Sequence, residues 1–142
     1  MKTRGVRAAA IGLVSVLVLG MRFQVTSART ESRDDEPCAP QRLVDTRQGA
    51  GLLRAAEATS VSLPAGTIAA QLNVTATAPE GDGFLTVWPC GDARPDTSTV
   101  NYHVGETSPN GITVSAAGGS VCYASNVPTH VIIDSTGAWV RP

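Results

Sequence analysis

The sequence predicts an all-β domain, a two-sheet sandwich of the jelly-roll kind, and three observations carry the prediction. Short segments rich in Val, Ile and Thr are separated by Gly, Pro, Asn and Asp, the pattern of strands joined by turns. In "TIAAQLNVTATA", Ile68, Ala70, Leu72, Val74 and Ala76 alternate with Gln71, Asn73, Thr75 and Thr77, so one face of that strand meets a core and the other meets water. No apolar series keeps helical spacing over three turns. Only "LLRAAEA" has helical character in this part of the chain, and it is too short to hold a helix alone. Eight or so short strands favour two packed sheets over one open sheet. A small β-barrel or a trefoil is the competing architecture, and no threefold internal repeat supports the trefoil.

Taken in order, the chain opens with Lys2, Arg4 and Arg7 ahead of an apolar run from Ala8 to Gly20, followed by the small residues Thr26, Ser27 and Ala28. This is the pattern of a secretory signal peptide over residues 1–28. The apolar run of 13 residues is shorter than the roughly 20 a membrane-spanning helix needs. Residues 29–40, "RTESRDDEPCAP", are charged, proline-containing and aperiodic, which predicts a flexible leader. A single β-sandwich domain is then expected over 41–142. Its strand candidates are 42–46, 59–63, 67–77, 83–89, 97–104, 110–116, 119–125, 129–134 and 137–141.

Removing residues 1–28 takes away four of the 11 basic groups and none of the 12 acids, leaving about −5 and no lysine. Without a basic stripe there is nothing to hold phosphates, which argues against nucleic acid, or to draw the protein to anionic lipid. The expected setting is extracellular, with no membrane association once the signal is cleaved.

The stretch "GFLTVWPCGDARP" carries a Phe, a Trp and a Cys. As a strand it points Phe84, Thr86 and Trp88 one way and Leu85 and Val87 the other, so it is central and covered on both faces, or it shows an aromatic pair outside. Pro89 ends it, and "CGDARPDTS" follows as a loop of turn formers. Cys90 and Cys122 lie 32 positions apart, and an oxidising compartment favours bridging them. Cys38 makes the count of three odd, which implies a free thiol or an intermolecular bond, hence a Cys38-linked dimer, and leaves open Cys38 as a partner for either of the others.

The runs "PQRLVDTR" (40–47), "LNVTAT" (72–77), "GFLTVWPCG" (83–91), "RPDTSTVNY" (94–102), "VCYAS" (121–125) and "THVIIDSTGAW" (129–139) together resemble a β-rich domain of many secreted actinobacterial proteins. The resemblance spans nearly the whole chain after the leader. It implies an extracellular module in which Cys90 and Cys122 form the matching pair, and it implies no catalytic residues. Cys38 lies outside these motifs.

His130, Asp134 and Ser98 supply triad chemistry on paper, without a G-x-S-x-G elbow to support it, and no catalytic residue is assigned. Asp45, Arg47 and Asp134 each follow an apolar strand and precede turn residues, where Asp and Thr cap turns through the backbone. Calcium shared by Asp45 and Asp134 would need further oxygen ligands. No C-x-x-C pair exists and His103 and His130 are scattered, so no metal or cofactor is expected. Asn73-Val74-Thr75 is a glycosylation sequon by pattern.

These readings converge on a secreted, non-catalytic module that binds a polysaccharide, a cell wall or a protein, the alternative being a small secreted hydrolase. The candidate binding residues are Trp88 and Arg94, because loops on a rigid scaffold carry function and Arg and aromatic side chains dominate binding hot spots. The second candidate surface is the face carrying Gln71, Asn73 and Thr75.

Overall fold

The computed structural model describes residues 39–116 and 118–141; the expected signal peptide, nearly all of the leader and Cys38 lie outside them. Eight strands follow in chain order: β1 (Gln41–Asp45), β2 (Thr59–Ser62), β3 (Thr67–Thr77), β4 (Gly83–Pro89), β5 (Val100–Tyr102), β6 (Thr107–Ser115), β7 (Ser120–Ser125) and β8 (His130–Val140). They form two four-stranded antiparallel sheets, ordered β1-β8-β3-β6 and β2-β7-β4-β5. This is the strand order of a jelly roll. The sheets stay separate, so neither a barrel nor a trefoil describes them. Among the described residues no helix is long and apolar enough to cross a membrane.

The alternation in β3 holds for Ala70, Leu72, Val74 and Ala76, which are fully buried between the sheets; Ile68, expected on the same face, is an extra residue between the pairs Thr67–Val140 and Ala69–Trp139 and is only half-buried, and Thr75, expected to meet water, is buried. Val131 and Ile133 of β8 meet them from the same sheet, and Leu85, Val121 and Tyr123 from the other. The core is light, built mostly from Val, Leu and Ala, and its two large members are Tyr102 and Tyr123. The Tyr102 hydroxyl is hydrogen-bonded to Ser125 Oγ, satisfying the one polar atom its ring carries inward.

Three strand boundaries are corrected as well. The segments 129–134 and 137–141 are one strand, not two. Opposite β3, Leu72 faces Ser135 while Gln71 faces Gly137, so Thr136 is an extra residue, a bulge rather than a turn. Thr136 Oγ1 donates to the Gln71 carbonyl at 3.2 Å. The strand candidate 97–104 shrinks to Val100–Tyr102, because the residues before it cross the outer face of β4. Finally, β6 begins at Thr107, three residues earlier than expected, and takes in Pro109, which an edge strand tolerates because one side of its backbone lacks a ladder.

Residues 49–58 connect β1 in one sheet with β2 in the other. The helical character of "LLRAAEA" is not realised there. Leu53 and Thr129 exchange backbone hydrogen bonds at 2.9 and 3.2 Å, and Ala56 N donates to the Ser125 carbonyl at 2.7 Å. Ala56 takes φ of +61°, outside the right-handed helical region.

Candidate functional site

The loop after β4 is fastened to the sheet beneath it. Thr86 Oγ1 donates to the Thr97 carbonyl at 2.7 Å, Val87 N to Thr99 Oγ1 at 3.0 Å, and Thr99 N to the Leu85 carbonyl at 2.7 Å. At its start Cys90 is bridged to Cys122, with Cα atoms 5.0 Å apart, a normal span for a disulfide. Leu85 and Val87 enter the core, whereas Trp88 lies opposite Cys122 in the register and outside the core cluster. Trp88 is nevertheless only 6 % exposed. The Arg94 guanidinium carbon sits 5.9 Å from its ring centroid, within cation–π range. The two expected binding residues are therefore together, but unequally available: Arg94 is exposed, while Trp88 is buried and supports it.

The motif "LVDTR" builds a second cluster. In a regular strand Arg42 and Asp45, three positions apart, would point to opposite faces. Pairing shifts between Arg42 and Val44, so Leu43 is a bulge and both side chains reach the outer face with Asp134. Asp45 caps the 3₁₀ turn Thr46–Gln48, as its place before the turn residues predicts. Its carboxylate accepts from Arg47 N at 3.2 Å, Arg47 Nε at 2.8 Å, Arg47 Nη2 at 2.7 Å and Arg42 Nη1 at 3.0 Å. Four donors fill the lone-pair positions of one carboxylate. The hydrogen bonds from Arg47 hold Asp45 well below the usual carboxylate range, against the opposing effect of burial. Asp134 is paired with Arg42. These two carboxylates thus face guanidinium groups, and a shared calcium would have to displace both.

The three triad residues are not brought together. His130 and Asp134 share the outer face of β8, four residues and about 13 Å apart along the strand; Ser98 belongs to the loop over the other sheet. His130 Nδ1 is instead 3.0 Å from Thr46 Oγ1, which also accepts from Val131 N at 2.9 Å. Asn73 and Thr75 lie on the outer face of β3, with Asn73 Nδ2 3.5 Å from Thr75 Oγ1. At one end of that face Ile68, Ala69, Thr113, Ser115 and Trp139 line a shallow depression. Among the described residues no three His, Cys, Asp or Glu side chains cluster.

No known protein family, curated protein or solved structure matches the chain.

One concave feature was not foreseen. Where residues 49–58 pass from one sheet to the other they roof a crevice of about 230 Å³, lined by Thr46, Leu52, Leu53, Arg54, Glu57, Thr59 and Tyr123 among others. Tyr123 is 3 % exposed, and burial raises its pKa above the ordinary tyrosine value, so it is a protonated phenol. The signal was present in "SVCYAS": alternation puts Val121, Tyr123 and Ser125 on the core face, and a phenol there calls for a hydrogen-bond partner.

Proposed function

We propose that the protein is an exported, non-catalytic module that binds an extracellular polymer, a cell wall or a protein through the loop over β4, with Arg94 as its principal contact. One observation carries the reading: an exposed guanidinium held over a buried tryptophan, on a loop fastened by three hydrogen bonds and a disulfide. An arginine so stacked has already lost part of its side-chain freedom, and preorganisation of this kind favours binding. Its outer edge keeps donors in a fixed fork for carboxylates or hydroxyls. The leading 28 residues, the low positive charge and the resemblance to secreted actinobacterial domains support an extracellular setting. Cys38, outside the resembling motifs, is the thiol that would link two copies.

The test incubates purified protein with insoluble polysaccharides and with cell walls, measuring both capture and released product. The expected result is capture without release, weakened about fivefold or more by Arg94→Ala while the thermal midpoint stays nearly unchanged. Release of soluble product, or undiminished capture by Arg94→Ala, overturns the proposal.

A further inference from the structure

We infer that the crevice between residues 49–58 and β7 is a second binding site, which takes a single neutral sugar ring with the Tyr123 hydroxyl as its innermost contact. Tyr123 is 97 % removed from solvent by its 3 % exposure. Its hydroxyl has no hydrogen-bond partner among the described residues. The sole described polar side-chain atom that is both sealed off and unpartnered is Thr67 Oγ1, so the Tyr123 hydroxyl is not sealed off, and Tyr123 lines the crevice. A phenol hydroxyl that makes no bond within the protein keeps both its donor and its acceptor capacity for whatever enters the crevice.

The remaining lining defines the chemistry. Arg54 offers only donors, Glu57 only acceptors, and the Thr59 and Tyr123 hydroxyls offer both. Arg54 and Glu57 are both exposed, so they flank the mouth, and neither has an ion-pair partner among the described residues. Leu52, 38 % exposed, presents an apolar wall beside them. A polyol matches this set, since each of its hydroxyls both donates and accepts and its ring offers a C–H face to Leu52. The charges of Arg54 and Glu57 cancel, so neither an anion nor a cation is selected, and the innermost group is an uncharged phenol. About 230 Å³ is the space of about eight water molecules at liquid density, room for one ring.

The site is independent of the Arg94 loop, because Tyr123 points into the sandwich and Arg94 covers the outer face of the same sheet. The experiment is saturation-transfer NMR on the full chain with methyl glycosides of glucose, galactose, mannose and N-acetylglucosamine, and with glycine as a zwitterionic probe. At least one glycoside should bind with millimolar affinity. Tyr123→Phe should weaken it about tenfold, the loss expected when a buried hydrogen-bonding partner is removed, and Arg94→Ala should leave it unchanged. Because the hydroxyl makes no bond within the protein, Tyr123→Phe should keep the parent's thermal midpoint. Glu57→Gln, at the exposed mouth, is the second variant and should also weaken binding. Binding of none of the glycosides, preference for glycine, or glycoside binding indifferent to both Tyr123→Phe and Glu57→Gln would each overturn the inference.

Discussion

Replacing both bridged cysteines, Cys90→Ala with Cys122→Ala, in a Cys38→Ser background that prevents thiol exchange, should cost about 3.7 kcal/mol. The figure follows from the separation of 32 residues in the chain-entropy relation for closing a loop of that size. The geometry says why this loss falls on the unfolded chain. Cys122 lies opposite Trp88 in the β4–β7 ladder, and Cys90 N already donates to the Ser120 carbonyl at 3.3 Å. The folded state therefore keeps these strands together without the bridge, and what disappears is a restraint on the denatured ensemble. Against a typical total of about 5–15 kcal/mol the loss is large, equivalent to roughly 15 °C in the thermal midpoint of a domain of this size. Urea unfolding followed by tryptophan fluorescence measures it. The cross-link also keeps the unfolded chain compact, so the slope of free energy against urea should steepen when it is removed. A loss under about 1 kcal/mol with an unchanged slope would refute this reasoning. Non-reducing peptide mapping of the parent should join Cys90 to Cys122 and leave Cys38 titratable or in a reducible dimer.

Trp88→Ala should destabilise by about 3 kcal/mol, the lower part of the range for a buried aromatic, because the loop above it can settle into the space; a loss below about 1 kcal/mol in the same urea assay would mean that the ring is not structurally enclosed. Tyr102→Phe should cost only about 1 kcal/mol, since Ser125 keeps its bonds to the Val127 carbonyl and the Val127 N–H; calorimetry of the variant checks this. Asp45 is held below its ordinary pKa of 3.8 by Arg47, so its ionised form stabilises the fold above that value and the contribution is lost as the pH falls below it. Thermal midpoints recorded from pH 5 down to pH 2 should accordingly drop more steeply for the parent than for Asp45→Asn, and parallel curves would count against the cluster.

The sandwich was legible because β3 alternates on its core face from Ala70 to Ala76 and punctuation by Gly, Pro and Asp marks most turns. Its three bulges were not. Leu43, Ile68 and Thr136 are ordinary strand residues, and only the partner strand's register reveals them as extra. That blind spot hid the ion cluster, since parity along β1 puts Arg42 and Asp45 on opposite faces until the bulge is counted. The same limit applies to "STG" in β8, whose turn-forming residues read as a break between strands. Trp88 and Arg94 were singled out from residue type and from their place on or beside the loop after β4. Whether the tryptophan would be shown or covered depended on where the loop after β4 folds back, and that is set by hydroxyls on Thr86 and Thr99 whose partners lie 11 and 12 residues away. The crevice escaped notice because its roof, "LLRAAEA", reads locally as helix, whereas in the fold it is drawn out between the two sheets by Thr129 and Ser125.

The lengths of the outermost strands bear on how copies of this domain coexist. Three of the four, β1, β2 and β5, have five, four and three residues, and the nine-residue β6 carries Pro109. A neighbouring chain seeking to extend either sheet would find three templates too short to grip and a fourth interrupted by a residue with no N–H to offer. Copies of the domain held side by side thus lack a long, uninterrupted edge along which to extend one another's sheets.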